Sequence, residues 1–364
     1  MPSAIPRLLD FGQSPWYDNL TRALASGGGL QQLIDEHGIR GVTSNPTIFE
    51  KAMATGTDYD AQLREVTRGG ASTEDAYWDL VTDDIASAAD VLRPTFDGLD
   101  GADGFVSVEV SPVMAADTAA TNRQAKELWD RLARPNVMIK IPATAEGLPA
   151  IADTLAAGIN VNVTLIFSLE RYREVIEAFM SGIERRAGAG GDVHGLASVA
   201  SFFVSRVDTE TDRRLPEGHA LRGKAAVANA KLAYEMFRNE FATARWQELA
   251  GRGARVQRPL WASTSTKNPA YSPTLYVDEL VGPDSVNTLA QASIDALAAG
   301  DANLRANAIC DGVDEARQVF VDLKAAGVDF DDVTATIERE GVASFAKSFN
   351  DALATLEKKA KELK

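Results

Sequence analysis

The chain has 364 residues, 45% of them hydrophobic and 24% charged, and its formal net charge is -15 at pH 7. This composition is typical of a globular protein with a large core and excludes a disordered or fibrous chain. The excess of acidic residues argues against nucleic-acid binding, which needs a clustered basic surface. It also means that a phosphorylated ligand must be held by a few local cations.

The single cysteine, Cys310, excludes an intramolecular disulfide and a cysteine-based metal cluster. The first twenty residues contain no basic segment followed by an apolar run, and no apolar stretch of about 20 residues occurs in the sequence. We therefore expect a cytoplasmic protein with no membrane partner. The expected assembly is a monomer or a homodimer, and the sequence does not distinguish the two.

Short apolar or β-branched segments alternate with amphipathic helical segments, which is typical of βα units around a parallel sheet. Several of these segments are apolar at consecutive positions, as strands covered on both faces are. The sequence therefore predicts one (β/α)8 barrel domain over residues 1–364. Its eight predicted strands are Pro15–Asp18, Ile39–Thr43, Gly104–Val110, Val137–Ile141, Ile159–Ile166, Ala197–Val204, Pro259–Thr264 and Ser285–Leu289.

Extra helices are predicted outside the basic barrel pattern. A helical insertion is expected near 71–100, following the capping residues Ser72 and Thr73. Lys224–Leu249 predicts one long helix, and the chain is expected to close with a helix over Val342–Leu363. The solvated face of the insertion is predicted to carry Asp79, Asp83, Asp84 and Asp90.

Lys140 is a cation inside the otherwise apolar fourth predicted strand. Catalytic side chains of parallel barrels lie at the carboxyl ends of their strands. A buried ammonium group is costly, and burial favours the neutral amine, which is the form that attacks a carbonyl carbon. From this strand alone, a lysine that reaches the strand end or pairs with Glu109 is an open alternative.

Two carboxylates, Asp18 and Glu109, lie at the ends of other predicted strands. Formation of a Schiff base requires proton delivery and removal, and cleavage of a carbon–carbon bond needs a base at the neighbouring hydroxyl. Asp18 and Glu109 could serve these two steps. The alternative is that each only balances the charge of Lys140.

Four segments, in order along the chain, resemble the transaldolase family. They are Gly41–Phe49 (GVTSNPTIF), Ile139–Gly147 (IKIPATAEG), Asn162–Ser168 (NVTLIFS) and Ser201–Arg206 (SFFVSR). The resemblance implies a (β/α)8 barrel of the pentose phosphate pathway that needs no cofactor and no metal. The implied reaction transfers a dihydroxyacetone unit from sedoheptulose 7-phosphate to glyceraldehyde 3-phosphate, giving erythrose 4-phosphate and fructose 6-phosphate.

The resemblance also implies roles for individual residues. Lys140 would form the Schiff base, Glu109 would act with a bound water in imine formation and hydrolysis, and Asp18 would take and return the proton of the hydroxyl at the cleaved bond. The implied substrate-binding residues are Thr43, Asn45, Asn162, Thr164, Ser201, Phe203, Arg206, Ser265 and Lys267.

Small polar side chains can hold sugar hydroxyls without adding charge, although capping of turns and strand ends is an alternative role. Arg206, Ser265 and Lys267 match the phosphate site of the family. Familiar members of the family have arginine at the position of Lys267, and a solvated surface lysine is the alternative there.

Two other functions are compatible with a barrel of this kind. A fructose 6-phosphate aldolase uses the same lysine but releases dihydroxyacetone to water. That group resembles this chain but has Gln at the position of Glu109 and Tyr at the position of Phe203. The Glu109 and Phe203 of this chain therefore favour transfer to an acceptor sugar. A non-catalytic barrel that only binds sugar phosphates could lose Lys140 or the carboxylates, whereas this chain has all of them.

Overall fold

Eight parallel strands form a closed barrel in the computed structural model, which describes residues 3–363. The strands follow one another around the barrel in chain order, and the last pairs with the first. All eight predicted strands are present, and the predicted fold class is confirmed. The strands are β1 Gln13–Tyr17, β2 Gly41–Thr43, β3 Phe105–Glu109, β4 Val137–Pro142, β5 Val161–Ile166, β6 Ser198–Phe203, β7 Arg258–Ala262 and β8 Ser285–Leu289.

Helices surround this barrel, and within residues 3–363 none of them has the length and apolar character that crossing a membrane requires. The first eight helices are α1 Pro6–Asp10, α2 Arg22–Ser26, α3 Gly29–His37, α4 Pro46–Ala54, α5 Asp60–Arg68, α6 Thr73–Gly98, α7 Thr118–Leu132 and α8 Gly147–Ala156. The others are α9 Leu169–Gly188, α10 Ser205–Arg213, α11 Ala225–Glu240, α12 Ala244–Gly251, α13 Leu275–Glu279, α14 Gln291–Ala299, α15 Val313–Ala325 and α16 Phe330–Glu362.

Helix α6 occupies the segment near 71–100 and begins with a capping box. The Ser72 hydroxyl accepts a hydrogen bond from the backbone N–H of Asp75 at 3.1 Å, and the Asp75 carboxylate accepts one from the Ser72 N–H at 3.3 Å. Each side chain satisfies one of the N–H groups that a helix start leaves unpaired, so the sequence signal and the observed start agree.

The prediction that Asp84 lies on a solvated face of α6 is wrong. Asp84 is buried and accepts hydrogen bonds from Nε of Arg22 and from the hydroxyl of Tyr59, both at 2.8 Å. These partners come from α2 and from the residue before α5, so helical spacing within α6 could not reveal them.

The single helix predicted over Lys224–Leu249 is also wrong, because the chain forms α11 and α12 with a turn between them. The hydroxyl of Thr243 accepts a hydrogen bond from the Trp246 N–H and starts α12. The turn brings Phe241 and Trp246 into contact, with ring centroids 4.7 Å apart, and both rings pack against Phe179 of α9.

The closing helix α16 is longer than the predicted Val342–Leu363, since it begins at Phe330. The Asp329 side chain accepts hydrogen bonds from the N–H groups of Asp331 and Asp332 and caps this earlier start. Helix α16 packs against α4, α6 and α10. Its middle therefore lies over the carboxyl ends of the strands.

Candidate active site

A cavity of about 640 Å³ opens at the carboxyl ends of the strands, where the active sites of (β/α)8 enzymes lie. Loops and helices that follow the strands form its wall, together with one face of α16. Eight of the predicted site residues line it: Asp18, Thr43, Asn45, Lys140, Ser201, Phe203, Arg206 and Lys267. The other four, Glu109, Asn162, Thr164 and Ser265, do not line it.

Lys140 lies in β4, and its side chain is only 5% exposed. Its ammonium group donates a hydrogen bond to the Ser44 carbonyl at 3.2 Å and lies 3.6 Å from Oε2 of Glu109. The register of β3 and β4 places Glu109 directly opposite Lys140. The pairing with Glu109, which the sequence left open, is therefore present, and the same lysine also lines the cavity.

Glu109 is buried behind Lys140. Burial raises the pKa of this carboxyl to about 7, and the nearby charges of Lys140 and Arg206 oppose the increase only in part. Both protonation states are therefore accessible near neutral pH. A carboxyl of this kind suits proton transfer during the formation and hydrolysis of an imine.

Asp18 follows β1 directly and lies on the cavity wall. The Thr43 hydroxyl donates a hydrogen bond to Oδ1 of Asp18 at 2.7 Å, which holds this carboxylate at the mouth of the barrel. Asn45 caps α4, since its side-chain oxygen accepts a hydrogen bond from the Ile48 N–H at 3.0 Å. Capping and a place on the cavity wall are thus compatible at Asn45.

Asn162 and Ser201 form a hydrogen-bonded row across three strands. Ser201 donates to Oδ1 of Asn162 at 2.7 Å, and Nδ2 of Asn162 donates to the Ser107 hydroxyl at 2.9 Å. Ser201 reaches the cavity wall, whereas Asn162 lies behind it and orients it. Thr164 is buried outside the wall, and its hydroxyl has no hydrogen-bond partner within residues 3–363.

Two cations lie on the cavity wall at the predicted phosphate site. The guanidinium of Arg206 lies 5.2 Å from the ring centre of Phe203 and 5.8 Å from that of Phe345. Burial lowers the pKa of Arg206, and an arginine remains charged at neutral pH. Lys267 is exposed and donates a hydrogen bond to Ser265 at 2.7 Å. Ser265 does not line the cavity itself, but this bond orients Lys267, which does.

Several cavity residues were not predicted from the sequence, among them residues of two helices. Helix α16 contributes Ile337, Glu340 and Phe345, and α4 contributes Lys51. Ser263 also lines the cavity and has φ +59°, a conformation that is uncommon for a non-glycine residue and often marks a functional site. The predicted strand Pro259–Thr264 included Ser263 in its interior, so Ser263 was not identified as a residue that follows the strand.

The closed barrel, with Asp18 and a buried lysine on the wall of a cavity at its carboxyl end and Glu109 next to that lysine, is the architecture of a (β/α)8 enzyme. The model of the Transaldolase/Fructose-6-phosphate aldolase family matches residues 15–356, and the chain belongs to this family. A transaldolase from Saccharopolyspora erythraea is 50% identical over 100% of this chain and 99% of its own length. Transaldolases from Thermobifida fusca and Mycobacterium leprae are 50% and 51% identical over 97% and 94% of this chain, and over 97% and 92% of their own lengths.

Proposed function

We propose that the amine of Lys140 forms a Schiff base with the carbonyl carbon of a donor ketose. The reaction is that of a transaldolase, in which a dihydroxyacetone unit passes from sedoheptulose 7-phosphate to glyceraldehyde 3-phosphate, giving erythrose 4-phosphate and fructose 6-phosphate. The observation that carries this proposal is a buried amine on the cavity wall with a carboxyl group 3.6 Å behind it.

The three ionisable groups divide the proton transfers among them. Glu109 takes a proton from the ammonium group of Lys140, and the neutral amine attacks the ketose carbonyl. The protons that leave the nitrogen pass through Glu109 to the carbinolamine hydroxyl, which departs as water and leaves an iminium ion. Asp18 takes the proton of the hydroxyl at the bond to be cleaved. The electron pair of that bond moves into the iminium ion to give an enamine, and the first aldehyde leaves.

The second half of the reaction reverses these steps on the acceptor. The enamine carbon attacks the acceptor aldehyde, Asp18 returns its proton to the new hydroxyl, and water hydrolyses the iminium ion with the help of Glu109. The product ketose and the free amine of Lys140 result. Side chains of this chain carry every step, with sugar phosphates as the small-molecule partners.

The remaining cavity residues hold the substrate. Thr43, Asn45 and Ser201 hydrogen-bond its hydroxyls in this proposal, because all three line the same cavity as Lys140. Arg206 and Lys267 hold its phosphate. Asn162 and Ser265 orient Ser201 and Lys267 through the hydrogen bonds described above, and Phe203 supports the guanidinium of Arg206.

Borohydride reduction in the presence of fructose 6-phosphate tests the Schiff base. Intact mass should show one sugar adduct, and peptide mapping should place it on Lys140. Lys140→Ala should give neither the adduct nor transfer, while the matched variant Lys126→Ala, at an exposed residue of α7, should give both. Transfer by Lys140→Ala, or an adduct on another lysine, would contradict the proposal.

Transfer and simple cleavage are separated by assays with and without an aldehyde acceptor. We expect turnover of fructose 6-phosphate to depend on the acceptor, since the chain has Glu109 and Phe203 and its relatives are named transaldolases. Equal consumption of fructose 6-phosphate without an acceptor would instead indicate an aldolase.

The cellular location and the oligomeric state are also proposals. A cytoplasmic enzyme is supported by the single cysteine of an acidic chain. A monomer or homodimer is expected, and light scattering of the purified protein tests it. A larger assembly, or a chain recovered outside the cytoplasm on cell fractionation, would contradict these two expectations.

A further inference from the structure

A second cavity, of about 500 Å³, lies between the start of α9 and helices α11, α15 and α16. We call it the outer cavity; its wall includes Ser168–Arg171, Asn229, Phe320 and residues of α16 from Phe330 to Glu338. It shares no lining residue with the active-site cavity. Its volume falls within the range of small-molecule sites.

The charges around the outer cavity favour a cation. Its wall carries one guanidinium, that of Arg171, which lies 2.7 Å from Glu174 and 3.8 Å from Glu338. Four carboxylates line the same wall: those of Glu170, Glu174, Asp331 and Glu338.

Acidic side chains on a surface are often only solvated, so they do not by themselves identify a binding site. A buried polar atom without a hydrogen-bond partner is the further evidence needed. Asn229 is 0% exposed, and its Nδ2 donates a hydrogen bond to the Phe167 carbonyl at 2.8 Å. This bond fixes the orientation of the amide. The other amide atom, Oδ1, is buried and has no hydrogen-bond partner among residues 3–363. An unpaired buried acceptor is costly, and a ligand with an N–H group would satisfy it.

A neighbouring carboxyl group adds to this demand. Glu338 is partly buried, and burial raises the pKa of its carboxyl, so a cation that displaces water there would stabilise the charged form.

An aromatic pair forms the apolar part of the outer cavity. The rings of Phe320 and Phe330 meet edge to face with their centres 4.6 Å apart, and both line the cavity. Aromatic faces attract organic cations and also pack against methylene groups. Since residues 3–363 contain no group of His, Cys, Asp and Glu side chains placed to hold a metal, the chemistry here favours an organic cation over a metal ion.

We propose that the outer cavity is a binding site for a small organic ammonium ion, with Asn229 and Glu338 accepting hydrogen bonds from the ammonium group and the phenylalanine pair covering its carbon chain. The site lies apart from the residues of the transfer reaction. Its occupancy is therefore measured by binding rather than by turnover, and its test is independent of the proposed function.

Calorimetric titration of the full chain with 1,4-diaminobutane tests the proposal, and 1,4-butanediol serves as the uncharged probe of the same length. We expect saturable binding of the diamine and weaker binding of the diol. Glu338→Gln should raise the Kd of the diamine about tenfold, as expected for a lost charge-assisted hydrogen bond. Glu338 is partly exposed, so this variant is expected to fold.

Glu357→Gln is the matched control, because Glu357 is exposed on the same helix and lies outside the cavity. It should leave the Kd unchanged. Equal weakening by both variants would show attraction to the acidic surface in general and would overturn the proposal. So would an unchanged Kd for Glu338→Gln, equal binding of the diol, or no saturable heat with the diamine.

Discussion

At the scale of single residues, Lys140 and Glu109 show what a strand pattern can and cannot predict. A lysine in an apolar strand indicated an unusual amine, and a carboxylate at the end of the neighbouring strand indicated its partner. The register that sets them opposite each other, and the burial that raises the pKa of Glu109 to about 7, depend on the assembled barrel. A single sequence does not give either quantity.

Glu109→Gln should lower kcat/KM by about two orders of magnitude, because the amide cannot exchange the proton that imine formation requires. The wild-type pH profile should contain an inflection near the pKa of Glu109, about 7. The variant should lack this inflection. Single-turnover measurement of imine formation checks the step directly, and an unchanged rate would show that Glu109 is not part of it.

The same group has a predictable effect on stability. Its folded-state pKa, about 7, is above its ordinary value of 4.5, so the folded state binds the proton more tightly than the unfolded chain does. The tighter proton binding increases the free energy of unfolding. This stabilisation is fully present below pH 4.5 and is lost as pH rises through about 7. Between these values the Tm of Glu109→Gln should fall less steeply than that of the wild type. Parallel thermal melts across this interval make the comparison, and identical slopes would contradict it.

Lys267→Ala should raise the KM for phosphorylated substrates about tenfold, since a charge-assisted contact to phosphate is lost. Lys267→Arg should retain a low KM, because a guanidinium can bind phosphate through two donors. Steady-state kinetics with an unphosphorylated ketose provides the comparison. An equal loss with that substrate would mean that Lys267 does not bind the phosphate.

At the scale of elements, the strands were easier to predict than the helices. Each strand is a short apolar segment between polar turns, so its position is a local property. The break between α11 and α12 depends on where Phe241 and Trp246 reach the core, and the burial of Asp84 depends on Arg22 and Tyr59. Helical spacing identifies an apolar face but does not say which part of the molecule covers it.

Helix α16 had the largest unpredicted effect on the site. Its spacing indicated a closing helix, but nothing local showed that Ile337, Glu340 and Phe345 would lie over the barrel mouth. Phe345 is one of the two rings against which Arg206 packs. The helix therefore contributes to the geometry of the proposed phosphate site as well as to stability.

Phe345→Ala tests this contribution. The free energy of unfolding should fall by about 3 to 5 kcal/mol, as for other buried phenylalanines, and the KM for phosphorylated substrates should rise because Arg206 loses one of its supporting rings. Phe349→Ala is the control, since Phe349 is buried on the same helix, packs on Tyr77 and lies off the cavity wall. Denaturant unfolding should show similar losses for both variants. A KM that rises equally in both would attribute the effect to a loosened helix.

At the scale of the whole molecule, alternation of strands and helices was enough to predict a closed barrel, but not how firmly each pair of strands is joined. Strands β8 and β1 pair at five positions, whereas β1 and β2 pair at one, Tyr17 with Val42. Side chains therefore have to complete the junction between β1 and β2. Trp16 does so from β1: it is fully buried, and its indole N–H donates a hydrogen bond to Asp103 at 2.9 Å.

Gly41, the first residue of β2, gives Trp16 the space it needs, because a Cβ atom at position 41 would lie 2.4 Å from the indole ring. Gly41→Ala should thus lower the free energy of unfolding by about 1 to 3 kcal/mol, the usual cost of overpacking a core. Gly195→Ala is the matched control, since a Cβ there would meet nothing within 4 Å and the backbone is not in the left-handed region. Denaturant unfolding should place this control within about 0.5 kcal/mol of the wild type. Equal stability of the two variants would show that the indole ring can move aside, and that the barrel closes between β1 and β2 without this contact.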